Sequence, residues 1–406
     1  MDNFTHSLAG MLVAEVVCAA RREQRQHVRA ALYLVSALGN NLPDSDIVYS
    51  WLDGPKPLGS LLHHRGHTHT LIIALPMAWL LGLALWRWFQ RRHADAGETE
   101  KRWIFGLALA GPALHLLMDF GNNYGVHPFW PITGRWFYGD SIFIVEPLWL
   151  AVLVPILARA IARRWLRVLL WVVLIAVLTA SWFLPFFSWT TRLCLLAVSG
   201  LSLLVSRQAG TAARAWYGLG GALTVALVFA VASQRAKVDL REAARAAFPA
   251  LAVHDISAAP LPANPRCWEG LLAGEQSGVF RVLRATVSLG GGPASSCGAG
   301  TDVSPTAPVA RLSRAERGGV RWISEYSADV SALSRLRRSD CRFAALLHFA
   351  RLPYVSADGR VAGDLRYDRQ PGLDFSDVPL PTRSGEGTCP KLVPGWSEPR
   401  GELFQP

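Results

Sequence analysis

Charge is scarce in this chain: Asp, Glu, Lys and Arg make up 17% of 406 residues, against 51% hydrophobic ones. That balance excludes an ordinary soluble enzyme. The apolar residues fall in blocks that approach the roughly 20 residues needed to cross a bilayer. No C-x-x-C pair occurs among the 6 cysteines, so a closed thiolate zinc site is not expected. Met1–Ser7 has no basic residue, and Arg21 and Arg22 follow the first apolar run instead of preceding it, which favours a retained first helix over a cleaved leader. Internal repeats are lacking, and residues 151–234 carry no cluster of reactive side chains.

The clearest membrane segments are Thr70–Phe89, Trp103–Phe120, Leu166–Phe187, Thr191–Ser206 and Trp216–Ser233; Ser7–Ala20, Val28–Leu42 and Ile144–Ile161 are shorter or more polar. The net charge of +11 suggests nucleic acid until its distribution is read. Basic residues cluster at Arg21–Arg29, Arg87–Arg102, Arg159–Arg167 and Arg207–Arg214, alternating with loops nearly free of Lys and Arg. The positive-inside rule then puts the basic loops in the cytoplasm and both termini outside, and excludes nucleic acid as the partner. Cys267, Cys297, Cys341 and Cys389 fall in the part placed outside, where they allow two disulfides in three pairings.

The expected fold is an all-α polytopic membrane bundle of about eight helices with a C-terminal, β-rich, extracytoplasmic domain. Residues 1–150 form a metal-site domain, 151–234 add transmembrane helices, and 235–406 form the soluble domain. In that last part β-prone runs appear at Val279–Val287, Val320–Tyr326, Arg342–Leu352 and Asp364–Tyr367, a short helix is expected at Asp329–Arg337, and turns at Gly290–Pro293, Ser295–Gly300 and Pro371–Gly372.

Residues 1–150 hold nine of the eleven histidines. His115-x-x-x-Asp119 lies inside an apolar stretch, with imidazole and carboxylate on one helix face, where an unpaired carboxylate costs kilocalories. With the expected topology, His6, Asp44, Asp46, His67, His69, His115 and Asp119 all reach the outer face from separate elements. Neutral imidazole and carboxylate suit Zn²⁺, and also Mn²⁺ or Fe²⁺. The number of ligands allows one ion or two, bridged by a carboxylate such as Asp44. In His63-His64-Arg65-Gly66-His67-Thr68-His69, a helix would align His63 with His67, and an extended segment His67 with His69; the latter pair is preferred. Arg65 is a candidate to orient an anionic substrate, Asn122, Asn123 and His127 to support the ligands, and Glu146 to add one. Trp130, Trp136 and Trp149 read as an interfacial aromatic belt.

Thr5-His6-Ser7 with Gly10, Leu42-Pro43-Asp44-x-Asp46, His64-Arg65-Gly66-x-Thr68-His69 and His115-Leu116-x-Met118-Asp119 together resemble the YdjM family over about residues 1–150. Its members are described as inner-membrane, metal-dependent hydrolases. A more distant similarity is to zinc-dependent phospholipases C and single-strand nucleases, which order the same residue types. That similarity implies His6, Asp44, His69, His115 and Asp119 as ligands of a multi-zinc site, although the later His and Glu of the pattern have no clear counterparts. The function expected is therefore hydrolysis of a lipid-like phosphoester at the outer face of a bacterial inner membrane, with membrane lipid as partner and substrate source. A metal-activated water would attack phosphorus, with Asp44 bridging the ions or acting as base and Arg65 binding the anion. The competing expectation is a metal-binding transport or sensing protein without catalysis.

Overall fold

The computed structural model describes residues 1–50, 56–297, 305–370, 372, 374–380 and 388–404. The expected turns at Ser295–Gly300 and Pro371–Gly372 lie partly outside these, at 298–300 and 371. The helices are α1 (Asn3–Ala20), α2 (Gln26–Asn41), α3 (Ile47–Ser50), α4 (Lys56–His63), α5 (Leu71–Gln90), α6 (Glu98–Phe120), α7 (Pro147–Ala160), α8 (Arg164–Phe183), α9 (Trp189–Gln208), α10 (Thr211–Ala247), α11 (Val330–Ser339) and α12 (Cys341–Leu346). Each apolar segment expected to cross the membrane is helical. By length and composition six suffice to do so: α1, α5, α6, α8, α9 and α10. The 16 residues of α2 and 14 of α7 fall short of that length. Large apolar side chains remain exposed on the outer surfaces of α5 and α8–α10, among them Leu80, Val172, Ile175, Leu193 and Leu227, as lipid-facing positions require.

Helix ends follow local chemistry. Asp2 caps α1 by accepting from Thr5 N and Thr5 Oγ1, Glu146 caps α7 ahead of Pro147, and Asp329 caps α11. Glycines set the closest crossings in the bundle. A Cβ on Gly10 of α1 would sit 2.5 Å from the Ser36 carbonyl of α2, and Ser36 Oγ donates to the Gly10 carbonyl at 2.7 Å. One on Gly111 of α6 would run into the backbone of Gly39 and Asn40 on α2. The α2–α6 contact is therefore backbone on backbone, as small residues permit between membrane helices.

The C-terminal part holds a five-stranded antiparallel sheet in the order β1 (Ala252–Leu261), β2 (Asn264–Gln276), β3 (Val279–Ser288), β5 (Val320–Asp329), β4 (Val309–Arg311). A smaller sheet runs β6 (Pro353–Val355), β7 (Val361–Asp364), β8 (Val378–Pro379). Disulfides join Cys267 to Cys297 and Cys341 to Cys389. The runs at Val279–Val287 and Val320–Tyr326 are strands and Asp329–Arg337 is helical, as expected. Two expectations are corrected. Arg342–Leu352 is not a strand: Asp340 accepts from Arg342 N and Phe343 N, which starts α12 and leaves Phe343, Leu346 and Phe349 buried. Asp364–Tyr367 is the end of β7 followed by a turn, because the Asp364 carboxylate binds Arg366 N and its guanidinium.

The two parts are closely joined. α10 is 37 residues long, about 55 Å at 1.5 Å per residue. Its last turns bury Leu240, Ala243 and Ala244 in one core with Trp268, Leu272 and Leu283 of the sheet. Arg351 is buried and bridges two carboxylates: Nη1 lies 2.8 Å from the buried Asp140 in the stretch after α6, and Nε 2.6 Å from the partly exposed Asp255 on β1. Lys237 of α10 adds a 2.8 Å contact to Asp140. Trp136 and Trp149 are buried, with Nε1 donating to the carbonyls of His348 and Ala222, so they are packing residues instead of an interfacial belt.

Two outcomes are expected. Gly111→Ala forces α2 and α6 apart and destabilises the purified protein by about 1–3 kcal/mol, whereas Gly106→Ala, which meets nothing within 4 Å, is neutral or stabilising in the same denaturation assay. Arg351→Ala leaves Asp140 with Lys237 and Asp255 with Arg400 alone, and costs about 1.5–3 kcal/mol in that assay.

Candidate metal centre

Four elements converge at one end of the bundle. α1 enters there with His6 on its first turn, α2 ends there and is followed by the Pro43–Asp46 3-10 turn, the His67–His69 3-10 turn leads into α5, and α6 ends with His115 and Asp119. The basic stretches lie at the opposite ends of these helices, where Arg25 binds Glu100 and Asp95. His6, Asp44, Asp46, Arg65, His69, His115 and Asp119 are all buried, with no residue more than 6% exposed.

The centre is a set of four ligand atoms. His69 Nε2 lies 3.1 Å from His115 Nε2, 3.4 Å from Asp44 Oδ1 and 3.5 Å from Asp119 Oδ2. His115 Nε2 lies 3.6 Å from Asp44 Oδ1 and 3.3 Å from Asp119 Oδ2. Ligands at about 2.0 Å from a tetrahedral zinc stand roughly 3.3 Å apart, so the spacing fits such an ion. Protonation fits as well. His115 Nδ1–H donates to the Asn40 carbonyl at 2.7 Å and His69 Nδ1 faces Asp46 Oδ2 at 3.1 Å, which leaves both Nε2 atoms as lone pairs turned on each other. Two Nε2 atoms turned on each other beside the Asp44 and Asp119 carboxylates suit a cation between them, either a proton on His69 or a metal ion.

The surrounding residues hold the ligands. Asp46 accepts from the Arg65 backbone N–H at 2.8 Å and Thr68 Oγ1 at 3.2 Å, and meets His64 Nδ1 and His69 Nδ1 at 3.1 Å each. Its carboxylate stands behind His69 as an orienting group, and those partners hold its pKa well below the usual range against the effect of burial. Asp46 also forms a second close set with Asp44 and His64, so Asp44 is common to both. Burial alone lowers the His69 pKa, but hydrogen bonds to Asp119, Asp44 and Asp46 outweigh it and raise it to about 10. A metal ion held there would compete with that proton for Nε2.

Arg65 has a positive φ of 55°, and its backbone N–H is tied to Asp46. Its guanidinium bonds Asp119 Oδ1 at 2.7 Å, Asn122 Oδ1 at 3.0 Å and the Asp119 and Gly125 carbonyls at 3.2 Å, and lies 4.6 Å from the Tyr124 ring centroid. Gly66 is required because a Cβ there would meet the His63 carbonyl. His6 stacks on His115 with centroids 3.9 Å apart and places Nε2 3.3 Å from Asp119 Oδ1; it touches the ligand set through Asp119 without joining it. The Met1 main-chain nitrogen also contacts Asp119.

The structure does not bring His67 to the centre. Residues 67–69 form a 3-10 turn instead of an extended segment, so positions two apart diverge, and the His67 ring packs against Trp130 and Trp396 at 5.0 and 5.3 Å. Glu146 is likewise elsewhere, accepting from Leu148 N and from Ala263 N of the β1–β2 turn. His127 is buried between Trp136 and Trp396, while Asn122 and the Asn123 carbonyl bind Arg65 and Arg366. Sequence reading passed over Asn40, whose carbonyl fixes the His115 tautomer and whose Nδ2 donates to the His6 carbonyl at 2.5 Å. It also passed over a half-exposed His27, His93 and Asp95 set at the other end of the helices.

Residues 1–184 match the YdjM inner membrane protein family. No curated protein and no solved structure matches the chain, so the similarity to phospholipases C rests on motif order alone. Because Asp46 orients His69, Asp46→Asn lowers metal affinity about 10–100-fold in a chelator-competition titration while leaving the other three ligands in place.

Proposed function

Starting from the match of residues 1–184 to the YdjM inner membrane protein family, we propose that this chain is a membrane-bound, metal-dependent hydrolase. Its substrate is a lipid-like phosphoester, and its site opens at the outer face of the membrane. The observation that carries this reading is the spacing of four buried ligand atoms from Asp44, His69, His115 and Asp119, with both imidazole lone pairs directed at one point. Zn²⁺ suits that donor set, and Mn²⁺ is the alternative. When bound, such an ion polarises a phosphoryl oxygen and lowers the pKa of water toward neutrality.

The chain's own residues supply the remainder. Arg65 binds Asp119 through Nη2 yet leaves Nε buried and without a partner, available to an anionic oxygen of the substrate. Asp44 Oδ2 is also buried and unpartnered, placed to take the proton of an attacking water. One ion satisfies the four-atom set; a second would share Asp44 and displace the His64–Asp46 contact. The walls of the site are apolar bundle and packed sheet, which strengthens charge interactions within it.

Two disulfides in the C-terminal domain and basic stretches at the far end of the helices support the outer placement. An ion-conducting role finds no support in the other helices: residues 147–238 contain no Asp, Glu or His.

Metal analysis of the purified protein tests the reading. Wild type is expected to retain about one equivalent of zinc or manganese, His67→Ala to keep it, and Asp119→Ala and His69→Ala to lose it, together with hydrolysis of a short-chain phospholipid. Unchanged metal in the last two variants would overturn the proposal.

A further inference from the structure

Beside the metal centre lies a cavity of about 470 Å³ to which both parts of the chain contribute. The membrane part brings Arg65, Asn122 and Tyr124; the C-terminal domain brings Tyr367, Arg369 and the β1–β2 turn around Pro262. The lining has two characters. Ile142, Phe143, Ile144, Phe186, Leu261 and Pro262 make an apolar wall. Four residues of the lining also carry a polar atom that is buried and has no hydrogen-bond partner: Arg65 Nε, Asn122 Nδ2, Tyr124 Oη and Tyr367 Oη.

Such atoms are costly to leave unsatisfied, and four gathered around one cavity are not explained by packing. Two of them can only donate and two are hydroxyls, so the set matches an acceptor-rich group such as a phosphate. An apolar wall next to donors matches an amphiphile. Arg65 ties this cavity to the metal centre, because Nη2 of the same guanidinium holds Asp119. The other cavity arginines already hold carboxylates: Arg366 binds Asp364, and Arg369 shares Glu269, itself in the lining, with Arg284.

We infer that this cavity is the head-group subsite for a lipid-linked phosphate, and that Tyr367 of the C-terminal domain is a substrate-binding residue. The inference rests on the hydrolase reading above and adds where the substrate sits and which domain selects it. The phosphate lies among Arg65, Asn122 and the two tyrosine hydroxyls, and the chain runs along the Ile142–Ile144 wall, of which Ile144 is 52% exposed. The C-terminal domain is thereby half of the substrate site.

The test uses the full-length, metal-loaded protein in lipid nanodiscs, with octyl phosphate as probe and octyltrimethylammonium and inorganic phosphate as comparisons. Wild type is expected to bind octyl phosphate at least tenfold more tightly than either. Tyr367→Phe and Tyr124→Phe each weaken that binding about tenfold, with metal content unchanged and ligand-free thermal stability equal or higher, since each removes an unpartnered hydroxyl. Equal affinity of wild type and both variants, or equal binding of octyltrimethylammonium, overturns the phosphate assignment. Equal binding of inorganic phosphate overturns the lipid assignment. The hydrolase reading fails separately: a protein that holds no metal but binds octyl phosphate with this tyrosine dependence keeps the subsite and loses the enzyme.

Discussion

Two carboxylates buried at the end of an apolar bundle govern the arrangement of this protein. Asp119 and Asp44 are 1% and 6% exposed, with one oxygen each left without a hydrogen-bond partner, in surroundings where an uncompensated charge is very costly. Arg65, His6 and the Met1 nitrogen answer the Oδ1 side of Asp119. The Oδ2 side, with Asp44 Oδ1 and the two imidazole Nε2 atoms, forms the set that would hold the proposed cation. The same requirement explains the supporting residues: Asp46 and the Asn40 carbonyl each occupy a histidine Nδ1 and so turn Nε2 inward.

The close crossings belong to the same account. His115 lies one turn beyond Gly111, the position where α6 meets α2 backbone to backbone, and Asn40 is the next residue after Gly39 on the other side of that contact. Pro112 cannot donate to the Ala108 carbonyl, which lies against Gly39. The position of His115, and of the Asn40 carbonyl that orients it, is therefore fixed by contacts one helical turn below.

What the sequence disclosed depended on whether the signal was local. Helical segments were legible because each is a continuous apolar run, and His115 with Asp119 because their spacing is a property of one helix. Asp44 and His69 followed from residue type. His67 did not, since choosing between alternating and helical spacing needed the 3-10 turn that the Gly66 backbone produces. β1 and β2 were illegible: β2 holds Pro265, Gly270, Gly274 and a buried Glu269, and reads as a loop until Arg284 and Arg369 arrive to pair that carboxylate. Asn40 and the hub of Arg351 with Asp140 and Asp255 join residues 75, 211 and 96 positions apart, a separation no motif records.

That hub bears on what the C-terminal domain is for. A domain that only hung from the membrane part would need no buried ion pairs at the join, because a flexible linker holds two bodies together without them. Here Arg351, Arg366 and Trp136 each cross the junction with their polar atoms matched, and the contacts converge on the stretch 122–146 that also lines the cavity. Matched buried polar contacts define one relative placement far more sharply than apolar contact does. Such definition matters only where the two surfaces must meet in register, and the surface they share is the wall that carries Arg65 and Tyr124 on one side and Tyr367 on the other.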